Sequence, residues 1–338
     1  MSRIDVVVPC YNYERFLTAC VRSVLAQSVN DLRVLIIDDA SSDGSLSIAR
    51  MLERSDRRVS VIAHARNHGH IPTFNEGIDW ARGDYFLLLS ADDLVVPGAF
   101  DRAIRVMDSD PEIVMTYGDY AVWHDQKQPP TLETPGSFTW RYDDLAEQMC
   151  ALATNFVQTP TAIVRTSVQK AIGGYRPHLY HAGDLEMWLR FAAAGRVGRI
   201  NAVQGIYRKH ATSMSNHFWQ NLLLEYEQRK LAFDAYFDAQ RNSAPLAARR
   251  RQTYRVLAGK AFESGVGHIR RGRVRGGLEL MRWAMSVDQR LRYLPPLWRI
   301  VKPPGQDGRR WAADALRAGA RRLTGRGATE IARGQTQG

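Results

Sequence analysis

The sequence predicts an α/β fold: a mostly parallel sheet flanked by helices, followed by a helical C-terminal region. Three observations predict it. Between Ile4 and Tyr117, short β-branched or leucine-rich runs alternate with stretches of helical spacing, which is the pattern of βαβ units and a parallel sheet. One run, Tyr85-Phe86-Leu87-Leu88-Leu89, is continuously apolar, as a strand covered on both faces is. The runs also end in polar and acidic residues, and ligands of open α/β sheets bind outside the carboxyl ends of the strands.

Ile4 to Val8 is the first strand, stopped by Pro9. Tyr13 to Gln27 comes next as a helix, with Phe16, Leu17, Cys20, Val21, Val24 and Leu25 on one face and Asn12 as its expected N-cap. Arg33 to Ile37 is the second strand and ends in Asp38-Asp39. The turn Ser41 to Ser45 opens a second helix, with Leu46, Ala49 and Leu52 facing inward. Val59 to Ala63 is the third strand, with Asn67 and His68 just beyond it. Ile71 to Arg82 is the third helix, and the leucine run is the fourth strand, ending in Asp92-Asp93. Two adjacent anions repel each other and need a cation or many donors, so this pair is expected outside the core. Pro97-Gly98 begins another helix, and Ile113 to Tyr117 is a fifth strand. Right-handed crossovers would bring the strand ends to one rim, carrying Pro9 to Asn12, Asp38-Asp39, Asn67 and Asp92-Asp93.

Beyond the fifth strand, Gln126 to Gly136 contains Pro129, Pro130 and Pro135 and reads as a loop. Asp143 to Ala153 reads as a helix and Thr161 to Arg165 as a strand. Gly173-Gly174-Tyr175 is a tight turn, Gly183-Asp184 starts a helix, and Val197 to Tyr207 returns as a strand. From Phe218 to about Ser286 the spacing is helical. Pro295-Pro296 and Pro303-Pro304 then break the chain, Ala312 to Leu323 is a short amphipathic segment, and the last residues lack periodicity. The expected organisation is a sheet domain over 1–215, a helical extension over 216–290, and a basic, partly disordered tail over 291–338.

Composition narrows the partners. The 338 residues include three unclustered cysteines, Cys10, Cys20 and Cys150, which suggests reduced cytosolic thiols rather than a disulfide framework or a zinc site. No leader-like segment opens the sequence, and no stretch approaches the roughly 18 unbroken apolar residues of a membrane span. The net charge of +11 is uneven: residues 246–338 carry 21 Lys+Arg against 6 Asp+Glu, and residues 1–245 carry 25 against 29. A basic tail behind a mildly acidic front points to an anionic partner for the tail.

Several blocks, taken in order, resemble the family 2 glycosyltransferases of the GT-A fold, a Rossmann-like architecture. They are Val6-Val7-Val8-Pro9-Cys10-Tyr11-Asn12, Ile37-Asp38-Asp39-Ala40-Ser41-Ser42-Asp43, Asn75-Glu76-Gly77, Ala91-Asp92-Asp93, Gly173-Gly174-Tyr175, Gly183-Asp184 with Trp188-Leu189-Arg190, and Tyr207-Arg208-Lys209-His210. The resemblance covers residues 1–215 and implies inverting transfer of a sugar from a nucleotide-diphosphate donor to an acceptor hydroxyl. It implies that Asp93 binds Mn²⁺ or Mg²⁺ and that His210 supplies a further ligand. It places Asp92 near the ribose and metal, Asp38 and Asp39 on the base and ribose, and Pro9 and Tyr11 against the base. Asn67 joins this donor-binding group through its position on the rim. Asp184 resembles the catalytic base, with an N-cap as its purely structural alternative. Ser90 stands where the family's first metal-motif acid is usual, so the ion rests on fewer carboxylates. Phosphate oxygens of the substrate can complete such a site, and a histidine ligand would favour Mn²⁺.

The residues after the first strand exclude other nucleotide-binding classes. There is no G-x-G-x-x-G, no P-loop, and no Gly-rich, Arg-bearing loop of a nucleotidyltransferase. The alternative to an enzyme is an inactive GT-A-like domain whose basic tail binds a membrane or nucleic acid. Nucleic acid is not expected, since the tail lacks RNP-like aromatics and any zinc spacing. Arg270-Arg271-Gly272-Arg273-Val274-Arg275, with Trp283, Trp298 and Trp311 nearby, points instead to an anionic membrane surface. The expected setting is cytoplasmic, peripheral at the inner face of the plasma membrane, with a glycan or lipid-linked acceptor in cell-envelope or polysaccharide assembly.

Overall fold

The computed structural model of the chain describes residues 3–125, 127–128, 130, 137–213, 221–241 and 243–293. The chain divides into two compact units, Met1–Met149 with Asn155–His217, and Cys150–Thr154 with Phe218–Gly338. The first unit opens with β1 (Ile4–Cys10), α1 (Glu14–Leu25), β2 (Leu32–Asp38), α2 (Ser45–Ser55), β3 (Val59–Ala63), α3 (His70–Trp80) and β4 (Tyr85–Leu88). Then come β5 (Leu94–Val95), α4 (Ala99–Ser109), β6 (Ile113–His124), β7 (Trp140–Tyr142), α5 (Leu145–Leu152), β8 (Ile163–Arg165), α6 (Thr166–Ile172), α7 (Gly183–Ala194) and β9 (Arg196–Lys209).

These strands form one sheet in the order β3-β2-β1-β4-β8-β6-β9-β5, with β7 paired to β9. β1 pairs in parallel with both β2 and β4, β2 with β3, and β6 with β9. β8 runs antiparallel between β4 and β6, and β5 and β7 run antiparallel to β9. The sheet is therefore mostly parallel, but its strand ends do not all share one edge. The three reversed strands are two or three residues long.

The core forms where periodicity predicts it. α1 buries Leu17, Cys20, Val21 and Val24 against strand residues Val6, Val8, Val34, Ile36 and Leu87. α3 lies close on β1, because a Cβ at Gly77 would sit 2.4 Å from Val7 Cγ1. The three cysteines are buried and form no disulfide among the described residues.

Four expectations need correction. Asn12 does not cap α1: the capping position is Tyr13, whose side chain makes no capping bond, and Asp43 Oδ2 accepts from the Glu14 amide. Asn12 instead lies at φ 60° and accepts from the Ser42 amide. The fifth strand runs on to His124 because its second half pairs with β9. Thr161 belongs to a short 3₁₀ turn, Thr159–Thr161, ahead of β8. Finally, Asp92 and Asp93 are buried, 7% and 3% exposed, because donors on β9 and beyond reach them.

The second unit contains α8 (Leu222–Ala239), α9 (Ala244–Arg270) and α10 (Val274–Val287). Leu257, Ala258, Ala261 and Phe262 of α9 and Leu280, Met281 and Ala284 of α10 are buried. Among the described residues no helix is long and apolar enough to cross a membrane. The segment Ala312 to Leu323, Trp298, Trp311 and most of the proline-containing 126–136 stretch lie outside the described residues.

Candidate active site

Adjacent parallel strands set the site. Because β1 lies between β2 and β4, its end at Pro9–Tyr11 is flanked by Asp38-Asp39 on one side and Asp92-Asp93 on the other. Two strand spacings separate the flanks, roughly 10 Å, a span that suits a nucleoside diphosphate. The loops after β1 and β2 are laced together. The Asn12 amide donates to Ser41 Oγ (3.0 Å), Tyr13 N to Ser45 Oγ (2.9 Å), and Gly44 N to Glu14 Oε2 (2.8 Å). Tyr11 remains 47% exposed above this braced edge, and Pro9 is half-buried. Asp38 Oδ2 accepts from Ser41 N, while its Oδ1 is buried with no hydrogen-bond partner among the described residues.

Asp39 is fixed by three donors. Oδ1 faces His64 Nδ1 at 2.7 Å and accepts from His68 N at 2.8 Å, and Oδ2 accepts from Gly69 N at 2.9 Å. Burial would raise its pKa, but these bonds outweigh it and hold the carboxyl below its usual value. Asn67 shapes the same turn by accepting from Gly69 N. Asp39, His64 and His68 also place ligand atoms within 4.8 Å of one another, near enough for one ion.

The acid pair after β4 sits against β9. Asp93 Oδ1 accepts from the Arg208 amide at 2.9 Å, and Asp92 Oδ2 faces His210 Nε2 at 2.9 Å. The His210 ring lies 4.5 Å from that of Phe16 and edge-on to Tyr13, which ties the pair to the start of α1. Burial, then the charge of Asp92, pushes the Asp93 carboxyl well above its usual range. The charge of Arg208, 3% exposed under the rings of Trp123 (4.0 Å) and Phe16 (4.8 Å), partly offsets this. Arg208 Nε and Nη2 have no hydrogen-bond partner among the described residues. A carboxylate pair so placed, short of positive charge, fits a divalent ion; Asp92 and Asp93 would hold it, with His210 beside Asp92.

Asp184 lies in the first turn of α7, yet it does not cap the helix, whose capping position is Ala182. Its Oδ1 accepts from the Tyr175 hydroxyl (3.0 Å) and its Oδ2 from Thr159 Oγ1 (3.1 Å). Burial raises its pKa more than these bonds and the nearby His70 lower it. Tyr175 is itself held by Asn75 on α3 through both backbone groups, at 2.6 and 2.9 Å. Only glycine fits at 174, where a Cβ would meet Asn75 Oδ1 at 2.4 Å. Arg190 clamps this turn by donating to the carbonyls of Ile172, Gly173 and Gly174 while pairing with Glu186. Thus α3 carries both arms of the site: Gly69 at its N-terminus binds Asp39, and Asn75 orients Tyr175 toward Asp184.

Sequence reasoning missed His64, Glu76 and Thr159 as members of this network. His64 stands directly after β3, on the same rim as the acids, and that position was the available signal.

A parallel sheet with acids flanking its central strand, and a helix-borne aspartate held across α3, defines a glycosyltransferase-class domain of the GT-A fold. Solved structures of the same fold include S. aureus TarS 1–349 in complex with UDP-GlcNAc, with a TM-score of 0.62, 16% identity, and coverage of 94% of this chain and 90% of that one. Another is the mannosyltransferase PcManGT of Pyrobaculum calidifontis in complex with GDP-Man and Mn²⁺, with a TM-score of 0.53, 16% identity, and coverage of 94% and 86%. Residues 5–172 match the Glycosyl transferase family 2 model, and through this domain the chain belongs to that family. Two relatives from Haemophilus influenzae, each named an uncharacterized glycosyltransferase, are 32% identical over 121 residues and 24% identical over 226. The matches cover 36% and 63% of this chain, and 48% and 67% of those relatives, so the chain spans about half the length of the first.

Proposed function

We propose that the chain transfers a sugar, with inversion, from a nucleotide-diphosphate donor to an acceptor hydroxyl. The observation that carries this reading is the flanking of the β1 end by Asp38-Asp39 and Asp92-Asp93 in a family 2 domain. The base and ribose lie against Tyr11 and are met by Asp38 and Asp39, and the diphosphate reaches across β1 toward Asp92 and Asp93. A Mn²⁺ or Mg²⁺ ion there supplies positive charge to the departing diphosphate. Asp184 takes the proton of the acceptor hydroxyl. As that oxygen bonds the anomeric carbon, the bond to the diphosphate breaks and its electron pair leaves with the diphosphate. One displacement inverts the centre, and a single carboxylate suffices because the leaving group needs charge rather than a proton. Release of nucleoside diphosphate from a panel of UDP-, GDP-, dTDP- and CDP-sugars, with and without Mn²⁺, tests this. Ion-dependent release from at least one donor is expected, and no release from any of them contradicts the reading.

For the second unit the reading is contact with an anionic membrane at the cytoplasmic leaflet, where a lipid-linked acceptor would lie. The turn between α9 and α10 presents Arg270, Arg271, Arg273 and Arg275 with Val274, all exposed. Trp283 contributes less than the sequence suggests, being half-buried against Tyr226. Each arginine near such a surface adds about 1 kcal/mol. The chain should sediment with anionic vesicles at low salt and be released at high salt; failure to sediment at low salt rules the contact out.

A further inference from the structure

The His64 ring is a built part of the rim that the transfer reaction does not use. Its side chain is 6% exposed. Nδ1 lies 2.7 Å from Asp39 Oδ1, and Nε2 lies 2.7 Å from Glu76 Oε2. At these distances each ring nitrogen is hydrogen-bonded to a carboxylate oxygen; with both carboxylates ionised, both nitrogens donate and the ring bridges two anions. Burial alone would lower its pKa, but the bonds to Asp39 and Glu76 outweigh burial and raise it. The His68 ring stacks on it at 4.3 Å. Asp39 is thereby held from three sides, with the rest of its acceptor capacity left for a ligand.

We propose that Glu76 and His64 form a relay that orients the carboxylate of Asp39 to receive the N–H or O–H groups of the donor's nucleoside. His64 and Glu76 are positioning residues and touch no reacting atom. The inference rests on the proposed binding of a nucleotide-sugar donor. The competing use of the cluster is an ion held by Asp39, His64 and His68. With both ring nitrogens donating to carboxylates, His64 has no lone pair left for a metal.

The test uses the full chain and whichever of UDP, GDP, CDP, ADP and dTDP binds tightest in the presence of Mn²⁺. His64→Ala should weaken that nucleotide by about tenfold to a hundredfold, the scale of a lost hydrogen bond to a charged group. Inorganic pyrophosphate should bind as it does to wild type. The donor KM should rise while kcat at saturating donor holds, and added imidazole should restore affinity. Glu76→Gln, at a side chain 41% exposed, alters the surface end of the relay and should give a smaller loss, which keeps the test open if His64→Ala does not fold. Undiminished nucleotide affinity in folded variants overturns the relay. So does an equal loss of pyrophosphate binding, or tight Zn²⁺ binding by wild type that His64→Ala and His68→Ala each abolish. Failure of wild type to bind any nucleoside diphosphate instead defeats the donor reading on which the relay rests.

Discussion

Asp184→Asn is expected to lower transfer by about 10²- to 10⁴-fold, the usual contribution of a positioned general base, while nucleotide binding survives. The geometry separates the two effects. The Asp184 carboxylate contacts Tyr175 and Thr159, whereas the nucleotide-facing acids stand at the ends of β2 and β4, on either side of β1. Asparagine keeps the shape and can still accept from one hydroxyl. Its amide cannot take the acceptor's proton. The same carboxylate sets the pH dependence: burial raises its pKa, and a base works only when ionised. Activity should therefore rise with pH through an acid limb lying above the ordinary carboxylate range, and kcat measured against pH checks this. Wild-type turnover by Asp184→Asn would remove Asp184 from the role.

Asp93→Asn should cost on the order of 10³-fold in ion-dependent transfer, equivalent to several kcal/mol of charge stabilisation. It should also make the ion-free protein more stable at neutral pH. The sign comes from the direction of the shift. Burial, then the charge of Asp92, raises the Asp93 pKa in the folded state, so the folded chain binds this proton more tightly than the unfolded chain does. The group's stabilising contribution is full below the unfolded pKa and is lost as pH rises through the folded one. Asparagine removes that loss. Thermal melting near pH 7.5 in EDTA should give a higher Tm for Asp93→Asn than for wild type. Added Mn²⁺ should raise the wild-type Tm and leave the variant unmoved. A lower Tm in EDTA would mean that Arg208 and the β9 amide already balance the pair without an ion.

Much of the fold was legible because its first half obeys simple periods. The α1 face and the β1 to β4 runs are amphipathic or apolar over five residues or more, long enough for a pattern to register. β5, β7 and β8 are two or three residues long, too short for any period, and they are the strands that reverse direction. The acids were legible as strand-end residues, but their burial was not. It depends on the Arg208 amide and His210, more than a hundred residues away in sequence, reaching Asp93 and Asp92. Asp184 alone reads as a helix cap, and only the position of Tyr175 and Thr159 around it removes that alternative. Asn12 failed as a cap because Ser42 competes for its side chain. Polar side chains near chain turns bond to whichever backbone amide tertiary structure supplies.

Calorimetric titration of UDP and GDP into the wild-type chain, once with Mn²⁺ and once with EDTA, tests most directly whether the two acidic flanks of β1 grip a nucleoside diphosphate through an ion. Saturable one-to-one binding with Mn²⁺, much weakened in EDTA and in Asp93→Asn, is the predicted result. Binding of equal strength in EDTA, or no binding of either nucleotide under both conditions, would contradict it.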